Sequence, residues 1–251
     1  MQGVAMFAIE TLHKKLIQNL GSLEGKTVLD YGCGRGGMIK LLLQQPTPPA
    51  YIYAVDCDAS AIKTLNEIYA DVIQQGKLGT AVISSPAEIV NQQFDAIVCH
   101  NVLECIANKE CYVQELYALL RPHGTLVASH HDFDSAVYNS SYRDLTRALI
   151  HYFSDTGEAW QTICDGQVGR KMPGLFKRAG IEKSSFETWR MVETTFNAED
   201  YSHLMANMML EVARNNFDQA SLDAWMNDLA QKVQAHDFYF AIDVVVVTAR
   251  K

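Results

Sequence analysis

The stretch VLDYGCGRGG, Val28–Gly37, contains two glycine patterns at once. Gly32, Gly34 and Gly37 make a G-x-G-x-x-G turn. Asp30, Gly32, Gly34 and Gly36 make an acid followed by three alternating glycines. Placed between a strand and a helix, either set brings backbone N–H groups close to a ligand, because glycine puts no side chain in the way. Which set is used decides the class of ligand.

The flanking sequence supplies the strand and the helix. Ala5, Ile9, Leu12, Leu16 and Leu20 recur at helical spacing and predict an amphipathic helix ending before Gly21. KTVLDYG then reads as a first strand and Arg35 to Gln45 as the next helix. The rhythm repeats: YIYAVD is a strand, Ala59 to Gln75 a helix, TAVIS and FDAIVCH strands three and four. A helix from Glu110 to Leu120 follows, then the strand GTLVAS. Strands alternating with helices predict a parallel sheet covered on both faces, with ligands beyond the carboxyl ends of the strands. After Ser129 the rhythm changes. Residues 132–170 carry helical character around Arg143 to Phe153. MPGLFKRAGI is a short helix, SSFETWRMVE a sixth strand, and 197–235 two helices broken near Asn215 to Ala220. FYFAIDVVVVTAR is a long final strand. The expectation is a single domain over 1–251, with a core of 21–131 and 170–251. The inserts 132–170 and 197–235 would form a helical lid.

Composition bounds the partners. The chain has 251 residues, 48% of them hydrophobic and 20% charged, and a formal net charge of -8. That is an ordinary globular balance with no basic cluster, which disfavours nucleic acid and anionic membranes. Cys33, Cys57, Cys99, Cys105, Cys111 and Cys164 form no C-x-x-C pair, so free thiols in a reducing cytoplasm are expected and no metal site. The first residues lack a basic segment followed by an apolar core, so no signal peptide is expected, and no apolar run reaches the ~18 residues of a membrane span. A monomer or homodimer is expected.

Asp30 separates the two ligand classes. A dinucleotide would set its pyrophosphate beside the loop. A carboxylate there, about 5 Å away at an effective dielectric near 20, costs roughly 3 kcal/mol per charge pair. S-adenosylmethionine has no phosphate. Its amino-acid end is a zwitterion, whose ammonium an acid can support while loop N–H groups take the carboxylate. Asp30 as a mere orienter of the loop remains open. Asp56, closing YIYAVD, stands where an acid accepts from ribose hydroxyls. Both cofactors have a ribose, and Asp56 as an ordinary capping residue beside Asp58 and Ser60 remains open.

Five ordered segments carry a family resemblance. VLDYGCGRG resembles the first motif of class I S-adenosylmethionine-dependent methyltransferases, and YAVDCDASAI the second. SSPAEI is similar to their adenine segment, FDAIVCHNVLECI to their fourth-strand motif, and LLRPHGTLV to the segment entering the fifth strand. The resemblance covers about Leu23 to Ser129 closely and is strongest to the small-molecule branch that includes the ubiquinone and menaquinone methyltransferases. It implies a Rossmann-like seven-stranded, mostly parallel sheet with an antiparallel last strand, in three α/β/α layers. It also implies S-adenosyl-L-methionine as cofactor, S-adenosyl-L-homocysteine as product, and cofactor contacts at Asp30, Gly32, Cys33, Gly34, Gly36, Asp56, Cys57, Ser85, Pro86, Ala87, His100 and Asn101. One departure stands out: Ser85 or Pro86 occupies the place where the family often has an acid for the adenine amino group.

The reaction expected is direct displacement, carrying the methyl to oxygen, nitrogen or carbon of a small, planar molecule. A base is needed only for an acceptor that arrives protonated. His100 and His131, after strands four and five, are the candidates. His130, Asp132, Phe133, Tyr142, Trp160 and Arg170 are the candidate acceptor contacts, with a His–Asp pair within HHD as one arrangement. A non-catalytic binder of the same cofactor, and a nicotinamide-dependent oxidoreductase, are the alternatives.

Overall fold

The computed structural model describes residues 6–157, 161 and 163–251, with side chains from residue 9 onward. Within these residues one seven-stranded sheet runs in the order β3-β2-β1-β4-β5-β7-β6. Its strands are β1 Thr27–Tyr31, β2 Tyr51–Asp56, β3 Leu78–Val82, β4 Phe94–His100, β5 Leu120–Tyr138, β6 Ser184–Glu193 and β7 Phe240–Arg250. The first five are parallel, and β7 lies antiparallel between β5 and β6.

The strands alternate between two cores. Leu29, Ile97, Leu126 and Ala128 face one side, with α5 (Lys109–Ala118) and α7 (Val168–Arg178). Val28, Val98 and Val127 face the other, with α1 (Met6–Leu20), α2 (Gly37–Leu43) and α3 (Ala59–Ile68). Adjacent residues of one strand thus serve opposite layers, as the period of two requires. A third cluster joins α6 (Arg143–Thr156), α8 (Tyr201–Ala213) and α9 (Gln219–Gln234) to the far ends of β5 and β7. Trp225 is fully buried there and donates to Thr146 Oγ1 at 2.9 Å. No helix among the described residues is long and apolar enough to cross a membrane.

Three expectations change. The single helix over 59–75 breaks at Tyr69 into α3 and α4 (Ala70–Gln74), where the Tyr69 ring packs toward Gly36. The fifth strand does not end at Ser129. It runs through His130, His131 and Asp132 to Tyr138, paired with β7 on both sides of a register shift between Asp132 and Val137. Residues 132–138, expected in an insert, are therefore sheet. Polar residues there are buried because β7 and the third cluster cover them, which an apolar pattern in β5 alone does not reveal.

Candidate active site

The parallel order reverses between β1 and β4, and the carboxyl ends of these strands carry the glycine loop and the segment after His100. Gly32 and Cys33 donate backbone N–H to Val55 O at 2.8 and 3.0 Å, which folds the loop over β2. Gly32, Gly34 and Gly36 have φ of 77°, 49° and 83°. Gly37 does not share that conformation; it is the first residue of α2, after Gly36 as N-cap. A Cβ on Gly32 would lie 2.3 Å from Val102 Cγ2, so the glycine loop and the loop after β4 are in near contact.

The two acids take different parts. Asp56 Oδ2 accepts from Gly34 N at 2.8 Å, and its Oδ1 accepts from Asp58 N at 2.9 Å. One carboxylate thus fixes the loop and its own turn. Asp30 is 4% exposed, and its Oδ2 has no hydrogen-bond partner among the described residues. Burial, then the Asp56 charge, pushes its pKa up to about 7. A buried carboxyl with an unpaired oxygen beside an open left-handed loop fits an incoming cation and opposes a phosphate. Cys33 is buried, and Cys57 is exposed beside Asp56.

The adenine-like segment is held from within. Ser85 caps the short turn Pro86–Glu88, its Oγ accepting from Ala87 N at 3.3 Å. Glu88 Oε1 accepts from Ser84 N and Ser85 N at 2.9 and 2.7 Å. The nearby acid is therefore turned back onto its own loop. Pro86 is buried and Ala87 exposed.

Four histidines gather where α1, β4 and β5 meet. His100 stands edge-on to His13 of α1 at 5.6 Å and lies 5.3 Å from His131, with its Nδ1 2.7 Å from Ser129 Oγ. Burial, then His131, holds His100 well below the usual histidine range. His131 is 1% exposed and stacks on Tyr201 at 4.5 Å. Asn101 Oδ1 accepts from His131 N at 3.0 Å, which aims the Asn101 amide N–H at His131 Nδ1, 2.8 Å away. Nδ1 is then an acceptor and Nε2 carries the hydrogen. Burial, then His130, brings the His131 pKa down to about 3. In this arrangement His131 orients Asn101 and has no ring nitrogen left to take a proton.

The expected His–Asp pair does not form. Asp132 Oδ2 binds Arg170 Nε at 2.5 Å, and Arg170 Nη1 reaches Asp134 Oδ2 at 3.1 Å. Burial raises the Asp132 pKa and Arg170 opposes it. Arg170 is thus a clamp between α7 and β5. His130, fully buried, pairs through Nε2 with Glu104 Oε2 instead. Glu104, in the short turn Leu103–Cys105 after β4, was missed in the sequence because its partner lies 26 positions away on β5.

A cavity of about 210 Å³ opens beside this edge, lined by Asn101, Glu104, Phe133, Phe153 and Tyr201 among others. Phe133 is the candidate acceptor contact that lines it. Tyr142 is exposed at the start of α6 and does not, nor does Arg170. Trp160 lies outside the described residues.

Comparison with known proteins follows the same lines. Residues 22–199 match the family described as Methyltransferase domain. A 37.1 kDa protein of a Streptomyces fradiae transposon is 22% identical over 94% of this chain and 65% of its own length. The ubiquinone biosynthesis O-methyltransferase of Pseudomonas entomophila is 28% identical over 48% of this chain and 51% of its own length. The chain thus spans between half and 65% of these curated relatives. Among solved structures, phosphoethanolamine N-methyltransferase 2 of Haemonchus contortus, solved with phosphomonomethylethanolamine and S-adenosylhomocysteine, superposes with a TM-score of 0.58. It covers 96% of this chain and 53% of its own at 15% identity. The matched family, the strand order and the glycine loop agree: the chain belongs to the class I S-adenosylmethionine-dependent methyltransferases.

Proposed function

We propose that this protein moves the methyl group of S-adenosylmethionine to a small acceptor held in the cavity beside Asn101, Glu104 and Tyr201. The observation that carries this is the pairing of an open glycine loop with the buried Asp30 carboxyl, whose Oδ2 has no hydrogen-bond partner among the described residues. Asp30 and the loop from Gly32 to Gly36 would hold the amino-acid end, Asp56 and Cys57 the ribose side, and Ser85 to Ala87 the adenine side. His100 and Asn101 would border the sulfur. When bound, the cofactor supplies an electrophilic methyl on a positive sulfonium. The chain's part is to align the acceptor and keep water out, which lowers the barrier through proximity and desolvation. Phe133, Phe153 and Tyr201 in the cavity wall support a small, flat acceptor.

Methyl-labelled S-adenosylmethionine, incubated with the protein and fractionated metabolite extracts, tests turnover. Label should appear in a low-molecular-weight product and be lost in Asp56→Ala. Tight cofactor binding with no labelled product in any fraction would reject the enzyme and leave a cofactor-binding module.

A further inference from the structure

Among the described residues one carboxylate lines the cavity, Glu104, and a histidine backs it. Glu104 is 7% exposed and lines the cavity, while His130 behind it has no exposed surface. His130 Nδ1 lies 2.7 Å from His131 O. A carbonyl oxygen only accepts, so Nδ1 carries a hydrogen and Nε2 is left for Glu104. The Nε2–Oε2 contact would be repulsive between a lone pair and a carboxylate, so the pair shares one proton. Its two forms, acid with neutral imidazole and carboxylate with imidazolium, have the same net charge of zero. The other oxygen, Glu104 Oε1, is turned to Gln161, itself a wall residue, at 3.4 Å.

We propose that the Glu104–His130 pair takes the proton of the methyl acceptor, and that the acceptor is a hydroxyl or amine whose heteroatom arrives protonated. This rests on the methyl-transfer reading above. The acceptor heteroatom forms a bond to the methyl carbon, and the carbon–sulfur electron pair leaves with sulfur, which becomes neutral. The heteroatom's proton passes to Glu104 Oε1 as the shared proton moves fully to His130 Nε2. The pair ends with two protons and a charge of +1, the charge that sulfur has lost. The buried site therefore keeps its net charge throughout, which avoids the cost of creating or destroying a charge in a low dielectric. His100 and His131 do not serve here, because neither lines the cavity that would hold the acceptor.

The test compares wild type with Glu104→Gln and His130→Gln, using catechol, tyramine and 4-nitrophenol as probe acceptors. Calorimetric binding of S-adenosylhomocysteine, expected within about twofold of wild type, certifies each variant as folded and the cofactor site as intact. With catechol or tyramine, both variants should lose roughly 10²-fold or more in transfer rate, the range of general-base catalysis. With 4-nitrophenol, already ionised at mildly alkaline pH, the loss should shrink to a few-fold, which damage to the cavity alone would not produce. Spectra of ¹⁵N-histidine protein without ligand add a readout independent of turnover. The His130 Nε2 signal should carry a shared proton that Glu104→Gln removes. Catechol and tyramine transfer unchanged in Glu104→Gln, an equal loss for all three probes, or an unaltered His130 signal would overturn the proposal. So would a wild type that binds S-adenosylmethionine yet methylates none of the three probes. A wild type that fails to bind the cofactor removes the underlying reading and the proposal with it.

Discussion

Gly32, Gly34 and Gly36 hold the left-handed conformation, and Gly37 sits in an ordinary helical turn. The alternating set is therefore the one the backbone needs. Gly32→Ala adds strain and a Cβ 2.3 Å from Val102, so it should destabilise the fold by about 1–3 kcal/mol in urea unfolding and weaken cofactor binding. Gly37→Ala meets only the His13 ring at 3.4 Å and should change stability by less than about 0.5 kcal/mol. Asp56→Ala removes the acceptor of Gly34 N and should weaken S-adenosylhomocysteine binding by roughly 1–3 kcal/mol in calorimetry. The placement of Asp30, the glycines and Asp56 at the ends of β1 and β2 was legible because each has a local reason to be there. Glu104 was not, because its meaning comes from His130 on the neighbouring strand β5.

At the scale of elements, three strands read well. YIYAVD, FDAIVCH and SSFETWRMVE match β2, β4 and β6 residue for residue. β5 was cut short because HHDFDSAVY carries buried polar groups whose partners come from elsewhere. Asp132 has Arg170 of α7, Ser135 accepts from Asp243 N of β7 at 2.9 Å, and His130 has Glu104. Tertiary partners outvoted the hydrophobic pattern. Arg170 belongs to this scale. Arg170→Met leaves Asp132 buried without its cation and raises its pKa further. The loss of stability should accordingly be larger at neutral pH, where Asp132 must be charged, than at about pH 4. Unfolding curves at the two pH values check this, and S-adenosylhomocysteine affinity should stay within about twofold.

For the whole molecule, the parallel run of β1 to β5 with helices on both faces followed from the alternation of strands and helices, and the antiparallel last strand from the family resemblance; the order of the strands was not read from the sequence. Nor was the position of the cavity. It depends on how α6 and α8 pack over the extended β5, and helical periodicity gives no direction for that packing. The glycine loop ties stability to pH through Asp30. Its folded pKa of about 7 exceeds the ordinary aspartate value of 3.8, so the folded chain keeps a proton that the unfolded chain releases between them. The stability it contributes is fully present below about pH 4 and is lost as pH rises through about 7. Asp30→Asn should flatten that slope in unfolding measurements. An ammonium beside Asp30 favours the charged carboxylate, so cofactor binding at about pH 6 should expel a proton. The most direct measurement is calorimetric titration near pH 6 with S-adenosylmethionine and with NAD, in two buffers of different ionisation enthalpy. The account predicts S-adenosylmethionine binding with release of close to one proton, no release in Asp30→Asn, and no heat from NAD. Tight NAD binding with no response to S-adenosylmethionine would contradict it.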